Sequence, residues 1–179
     1  MKNKLLSLLF LLLPLPCFAL DNDFVNLTPT PKTMTVEAGE LVLPPSFSIS
    51  TTALPEEMVV EVERFAKALR QTTGFAVLHA ANDNEALIQV VESASQLDPE
   101  GYQLDITSKG ITVAASTADG LYFAFQSIKK MLPPHVMAGV ADSKVLRYAL
   151  PLVSINDAPV SATAVSCSTL PDIITRSKN

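Results

Sequence analysis

The stretch EGYQLDITSKGITVAASTADGLYFAFQSIKKML, Glu100–Leu132, carries the strongest structural signals in the sequence. Within it, Tyr102–Thr107 and Ile111–Ala115 alternate apolar and polar residues on either side of Ser108-Lys109-Gly110. Alternation with this period places one face of each segment on a core, and the residues between them are typical of a tight turn. The pattern therefore predicts a β-hairpin.

A helix is predicted directly after this hairpin. Ser116-Thr117-Ala118-Asp119 fits the S-x-x-D capping box, in which side chains satisfy free N–H groups of the first turn. Lys129 and Lys130 fall in the last turn, and Pro133-Pro134 ends the helix. One side carries a stripe of apolar residues at Leu121, Phe125, Ile128 and Leu132. This stripe predicts that the helix packs on the sheet.

Another helix is predicted to begin at Pro55. Proline suits the first turn, and the carboxylates of Glu56 and Glu57 suit the positive end of the helix dipole. Thr72-Thr73-Gly74 ends the helix. Apolar residues with helical spacing are Val59, Val62, Phe65, Ala66 and Leu69. The residues expected on the opposite, solvated face are Glu61, Glu63, Lys67 and Arg70.

Short β-type segments surround the two helices. Thr33–Val36 and Leu41–Leu43 flank Glu37-Ala38-Gly39-Glu40, which is a predicted hairpin turn. Further strands are predicted at Phe47–Ser50, Ala86–Val91 and Leu146–Ile155. Hairpins with two interspersed helices predict an α+β fold, with a mostly antiparallel sheet and both helices packed on one face.

The N-terminus is typical of a secretory signal peptide. Two lysines precede an apolar run from Leu5 to Leu15, and small residues follow, so we expect cleavage after Ala19. The run is shorter than the ~20 residues that a membrane-spanning helix needs. Pro16 is a poor context for lipid attachment at Cys17, so anchoring there is not expected. The protein is therefore predicted to be exported, to the periplasm or the extracellular space.

Charge and cysteine content limit the classes of function. The formal net charge is −5, and loss of the two signal-peptide lysines makes it more negative. An acidic chain without a basic stripe argues against a nucleic-acid partner and, after signal removal, against a membrane partner. Cys17 leaves with the signal peptide, so Cys167 has no partner in the mature chain and no intrachain disulfide is expected.

Residue types that carry out chemistry are present but scattered. His79 and His135 are both in predicted loops, and no Cys/His/Asp cluster with ligand spacing surrounds either. The glutamates that open the first helix are explained by the dipole, and neighbours in sequence do not face each other on a helix. A sugar-stacking platform could form from Tyr122, Phe123 and Phe125, although their helical spacing favours a core. We predict no catalytic residue, no cofactor-binding residue, no metal ligand and no cofactor.

The order of several short motifs resembles one enzyme family. The motifs are Pro29-x-Pro31, G-E-L-V-L at 39–43, T-T-G at 72–74, E-G-Y-x-L at 100–104, G-I-T-V at 110–113, D-G-L-Y-x-A-F-Q-S-I-K-K-M-L at 119–132 and I-N-D-A-P at 155–159. In this order they resemble the N-terminal accessory domain of secreted bacterial β-N-acetylhexosaminidases of glycoside hydrolase family 20. The resemblance covers residues 24–159.

The resemblance implies a partner domain. In that family the α+β domain packs beside a (β/α)8 barrel in the same chain, and the barrel binds N-acetylhexosamine glycans and removes the terminal non-reducing residue. An adjacent Asp-Glu pair acts there, with the substrate's own acetamido group as nucleophile. None of the barrel positions is present in this chain, so we expect the chain by itself to be inactive.

Residues 160–179, VSATAVSCSTLPDIITRSKN, depart from the family pattern. After D-A-P the family continues R-F-x-Y-R-G-x-M-L-D-x-A-R-H. One nucleotide inserted before the Val160 codon regroups permitted codons into R-F-R-Y-R-G-F-M-L-D-V-A-R-H-Y-H-P. We therefore expect a non-native, disordered tail from a shifted reading frame. A natural linker or a secreted tail is the alternative, and a stand-alone exported module that binds glycans or a protein is the alternative function.

Overall fold

The computed structural model describes residues 27–80, 82, 85–93 and 97–158. The signal peptide with its expected cleavage after Ala19, Cys17 and the tail at 160–179 lie outside these residues, and those expectations stay predictions. In chain order the described elements are β1 (Thr33–Val42), β2 (Ser46–Ser50), α1 (Glu56–Thr73), β3 (Ala76–Ala80), β4 (Ile88–Glu92), β5 (Tyr102–Thr107), β6 (Gly110–Ala115), α2 (Ala118–Met131), α3 (Pro134–Met137) and β7 (Ala149–Asp157).

The strands in the described part of the chain form one seven-stranded sheet in the order β1-β7-β5-β6-β4-β2-β3. The half from β1 to β6 is antiparallel, and the half from β6 to β3 is parallel. Taken together, the three antiparallel ladders contain more residue pairs than the three parallel ladders, and the helices pack together on one face. The predicted α+β class is thus confirmed, but the hairpin signals do not predict the parallel ladders.

The predicted hairpin and the helix after it are both confirmed. Tyr102 pairs with Ala115 and Thr107 pairs with Gly110 across β5 and β6. The N-cap of α2 is Thr117, one residue later than the predicted box begins, and its hydroxyl accepts a hydrogen bond from the Gly120 N–H at 3.1 Å. The whole predicted apolar stripe is buried, namely Leu121, Phe125, Ile128 and Leu132.

Helix α1 begins at the predicted place, and it packs against α2 through stacked rings. Pro55 is its N-cap, and Gly74 ends it in the left-handed conformation with φ of 73°. The ring centroids of Phe65 and Phe125 are 4.1 Å apart and nearly parallel. Glu61 was expected on the solvated face but is buried, with 7% of its surface exposed. This prediction was wrong because Glu61 lies on the side of α1 towards α2, within electrostatic reach of Lys129.

The predicted hairpin at Glu37–Glu40 is wrong. Thr33–Val42 is one strand, because the segments on both sides of the predicted turn pair with β7. A bulge between Glu37 and Glu40 absorbs the extra residues, and Gly39 occupies it with φ of 119°. A positive φ of this kind favours glycine and explains why the sequence looks like a turn.

Two further elements were not predicted. Strand β3 follows Gly74 almost at once and pairs in parallel with β2, so His79 lies in a strand and not in a loop. The proline pair after α2 does not lead into a loop, because Pro134 is the first residue of the four-residue helix α3. His135 therefore lies in a helix. The predicted loop positions of both histidines are wrong.

Candidate functional site

A cleft of about 310 Å³ lies beside the point where the described chain leaves the sheet. Its lining comes from three distant parts of the sequence: Leu27 and Pro29 before β1, Tyr122 and Phe123 on α2, and Asp157 at the end of β7. The lining is completed by Tyr102, Gln126, Ser127 and Lys130. Both the start and the exit of the domain therefore border one cleft.

The antiparallel pairing of β1 with β7 brings the start and the exit together. Thr33 pairs with Asn156, and the backbone N–H of Lys32 donates to Asp157 Oδ1 at 3.0 Å. Lys130 Nζ on α2 donates to the carbonyl oxygen of Thr28 at 2.6 Å. These long-range hydrogen bonds fix the rim of the cleft to the sheet and to α2.

The polar atoms on the inner wall of the cleft are paired with each other. The hydroxyl of Tyr102 lies 2.7 Å from Ser127 Oγ, and Tyr102 is 1% exposed. Burial raises the pKa of Tyr102, and the charge of nearby Asp157 raises it further. The phenol therefore stays neutral across the physiological range and acts as a hydrogen-bonding group, not as a base.

Aromatic rings form the outer wall. Tyr122 and Phe123 meet edge to face with centroids 5.5 Å apart, and 44% of Tyr122 is exposed. Of the three residues in the predicted sugar platform, Phe125 is buried against Phe65 and does not reach the surface. The structure thus brings two of the three candidates together, in a position to contact another apolar group.

The two histidines are in separate settings. His79 Nε2 lies 2.9 Å from Glu63 Oε2, and Arg70 also contacts the Glu63 carboxylate. Desolvation would raise the pKa of Glu63, but the hydrogen bonds and charges of His79 and Arg70 outweigh it and lower that pKa. This arrangement is an exposed ion-pair cluster.

His135 contributes to the packing of the helix layer. Its Nε2 lies 3.0 Å from the hydroxyl of Tyr148, whose side chain is buried, and the two rings meet edge to face. The Tyr148 hydroxyl also donates to the carbonyl oxygen of Thr72 at 3.4 Å. This contact connects α3, α1 and the approach to β7, which is a structural role.

Carboxylates do not converge in the described part of the chain. Within it, no group of three or more His, Cys, Asp and Glu side chains could hold a metal ion. Glu56 and Glu57 lie exposed in the first turn of α1, and Glu61 pairs with Arg64 at 3.1 Å.

Among the residues that the structure describes, no helix has the length and apolar character needed to span a membrane. The expectation that the chain has no catalytic, cofactor-binding or metal-binding residue stays a prediction.

Comparison with known families returns one match that covers most of the chain. A family model described as glycosyl hydrolase family 20, domain 2, matches residues 25–158. This range coincides closely with the segment 24–159 defined by the sequence motifs. No curated protein sequence matches the chain significantly.

Solved structures with a similar fold include several β-N-acetylhexosaminidases. The Streptomyces plicatus N-acetyl-beta-hexosaminidase in complex with Thio-NAglucal is similar with a TM-score of 0.68 and 23% identity, over 78% of this chain and 27% of that chain. The Streptomyces coelicolor enzyme gives 0.68 and 21%, over 78% and 27%. The Bacteroides fragilis enzyme gives 0.56 and 20%, over 73% and 24%. The chain thus spans about a quarter of the length of these relatives.

Proposed function

Because the chain belongs to glycosyl hydrolase family 20 through its domain 2, we propose that it is the N-terminal accessory domain of an exported β-N-acetylhexosaminidase. The proposed activity of the parent enzyme is hydrolysis of terminal non-reducing N-acetylhexosamine residues, and the proposal assigns that activity to a (β/α)8 barrel outside this domain. Glycans bind that barrel and not this domain. We therefore propose that residues 25–158 have no hydrolase activity of their own.

One observation carries this proposal. The family match ends at residue 158, and β7 ends at Asp157, so the family domain and the described fold stop together. The structural relatives are about four times longer than the aligned segment, since it covers 27% of the Streptomyces plicatus enzyme. The proposal assigns catalysis to a part of the relatives that lies outside the aligned segment.

The sequence of residues 160–179 supports a specific origin for the tail, namely a shift of the reading frame. Permitted codons for residues 160–179 can be regrouped, after insertion of one nucleotide, into codons for the residues with which the family pattern continues after D-A-P. Permitted codons place Arg, Tyr, Gly, Met and Asp at the required successive positions, and each regrouped codon encodes only a narrow set of residues. We propose that a one-nucleotide deletion after Pro159 shifts the frame and removes the barrel.

Activity measurements on two polypeptides test the proposal. The purified chain is expected to show no turnover of a chromogenic N-acetylglucosaminide. The polypeptide expressed from the same gene with one nucleotide inserted before the Val160 codon is expected to hydrolyse it. Turnover by the chain as it stands would overturn the proposal, and so would a restored gene that encodes a folded but inactive protein.

A second candidate function is a stand-alone exported module that binds glycans or a protein. The exposed ring of Tyr122 beside Phe123 favours it, because aromatic faces at a surface stack on sugars and on apolar side chains. Titration of the chain with chitin oligosaccharides distinguishes the two. Saturable binding that is lost in Tyr122→Ala favours the module, and absence of binding favours the accessory domain.

A further inference from the structure

We propose that the outer edge of β3 is a surface on which a second copy of this chain can pair strand to strand, and that Arg70 on α1 keeps this edge closed. In the described part of the chain β3 is the last strand of the sheet, so one of its sides has no neighbouring strand there. A strand with a free side presents unpaired backbone groups and is a template for another strand. The inference concerns this edge alone and does not depend on the proposed function.

The register of β3 on β2 determines which backbone groups face outwards. The N–H of Ala76 donates to the carbonyl oxygen of Pro45 at 2.9 Å, and the parallel register then makes Ala76 and Leu78 the residues that bond to β2. Backbone groups of successive residues point to opposite sides of a strand, so the N–H and C=O groups of Val77 and His79 point away from the sheet. Two donors and two acceptors therefore lie on the free edge.

Arg70 already occupies one of these acceptors. Its Nη1 reaches from α1 to β3 and donates to the carbonyl oxygen of Val77 at 2.9 Å. The carboxylate of Glu63 accepts from the other guanidinium nitrogen and also lies 2.9 Å from His79 Nε2. Hydrogen bonds with a charged donor are stronger than those between neutral groups. An incoming strand would have to displace the guanidinium before it could pair with Val77.

The opposite edge of the sheet is protected in another way. Strand β1 carries a bulge between Glu37 and Glu40, and bulges and charged side chains both hinder pairing at an edge. Strand β3 pairs with β2 without a shift of register, and its five residues, AVLHA, include no proline and no Asp, Glu, Lys or Arg. The protection of β3 therefore comes from outside the strand, through Arg70 on α1.

One symmetric register uses every outward group of β3. If two antiparallel copies are related by a two-fold axis at Leu78, Val77 of each copy faces His79 of the other, and both pairs exchange backbone hydrogen bonds. Leu78 then faces its own copy in a non-hydrogen-bonded pair, where side chains are closest. The side chain of Leu78 is 56% exposed and would be covered. Arg70 blocks this register in both copies, because it holds the Val77 carbonyl.

The substitution Arg70→Ala tests the closure of the edge. We expect it to lower the Kd of the dimer by about tenfold or more, because two charge-assisted hydrogen bonds, one in each copy, no longer oppose pairing. Sedimentation equilibrium over a range of protein concentrations measures the Kd. Arg64→Ala is the matched control, since it removes the same charge from a residue of α1 that pairs with Glu61, on the side towards α2. It should leave the Kd unchanged.

Two substitutions at Leu78 test the register. In the Arg70→Ala protein, Leu78→Lys should restore the monomer, because two like charges would face each other across the axis. Leu78→Cys should instead form a disulfide between the copies under mild oxidation, in a background with Cys17→Ser and Cys167→Ser. Val91→Cys is its control, because Val91 is also exposed but lies on β4, inside the sheet.

Three results would overturn the proposal. The first is an Arg70→Ala protein that associates no more strongly than the chain as it stands, and the second is equal association in Arg64→Ala. The third is association that Leu78→Lys does not weaken, which would place the contact on another surface. If circular dichroism shows that Arg70→Ala does not fold, Arg70→Lys replaces it with Arg64→Lys as control. Lysine keeps the charge but not the guanidinium fork, so stronger association is still expected, and the same three results apply.

Discussion

The two faces of α2 differ in what they do for the molecule. The inner face buries Leu121, Phe125 and Ile128 against the sheet and α1. The outer face carries Tyr122, Gln126 and Lys130, which line the cleft beside the exit of the chain. One helix thus both holds the domain together and forms its candidate contact surface. We therefore expect that the stability of the domain and the exposed surface of the cleft can be changed separately, by substitutions on opposite faces of α2.

The largest expected effect comes from the inner face. Phe125→Ala removes a fully buried ring that stacks on Phe65, and substitutions of this kind lower the free energy of unfolding by about 3–5 kcal/mol. Urea unfolding followed by circular dichroism measures the loss. Tyr122→Ala is the matched control, and a comparable loss in that variant would contradict the division between the two faces.

A second substitution tests how closely α2 approaches the sheet. A Cβ added at Gly120 would lie 2.4 Å from the backbone carbonyl oxygen of Gly101. Backbone cannot yield as a side chain does, so Gly120→Ala is expected to lower the free energy of unfolding by about 1–3 kcal/mol despite alanine's better helix propensity. Gln126→Ala, on the outer face of the same helix, is the control. If Gly120→Ala were stabilising in urea unfolding, the close packing would be disproved.

The inner wall of the cleft should show an intermediate effect. Tyr102→Phe leaves the buried Ser127 hydroxyl without its partner, and we expect a loss of about 1–2 kcal/mol in the free energy of unfolding. The double variant Tyr102→Phe with Ser127→Ala removes both partners and should recover part of the loss. Additive losses in thermal unfolding would show that the two hydroxyls do not interact.

The smallest expected effect lies at the solvated edge of α1. His79 and Arg70 lower the pKa of Glu63 in the folded protein, so the ionised carboxylate stabilises the fold. This stabilisation is complete above the pKa that Glu63 has in the unfolded chain. It is lost as the pH falls through the lower pKa that Glu63 has in the folded protein. Glu63→Gln should therefore show a smaller fall in Tm than the parent between neutral pH and pH values below about 4. The free energies of unfolding of Glu63→Gln and the parent should differ by no more than about 1 kcal/mol, because the pair of His79 and Glu63 is exposed.

A charge-matched substitution controls this experiment. Glu92→Gln removes a carboxylate at the exposed end of β4, away from His79 and Arg70. Its Tm should follow the same pH curve as the parent. An identical change of slope in Glu92→Gln and Glu63→Gln would show that net charge, and not the cluster around Glu63, determines the acid response.

Local patterns predicted the elements whose signals lie within one stretch of sequence. The hairpin of β5 and β6, the stripe on α2 and the Gly74 end of α1 all depend on neighbours within a few turns. The bulge in β1 could not be predicted in the same way, because it exists only through pairing with a strand more than a hundred residues away. The parallel ladder of β3 and the burial of Glu61 likewise depend on long-range packing.

The cleft shows the same limit. Sequence spacing identified Tyr122 and Phe123 as candidate surface aromatics but could not separate them from Phe125, since all three lie within four residues. It also gave no sign that Leu27 and Asp157 meet, because the register of β1 on β7 determines that contact. The motif order, by contrast, identified the family, and a family model matching residues 25–158 confirms it.

The nucleotide sequence of the gene downstream of the Asp157 codon tests the central claim most directly. We predict that the frame one nucleotide out of register after Pro159 stays open and encodes Arg-Phe-x-Tyr-Arg-Gly-x-Met-Leu-Asp, followed by a (β/α)8 barrel with an adjacent Asp-Glu pair. A stop codon shortly after Pro159 in that frame, or an open frame without these residues, would contradict the account.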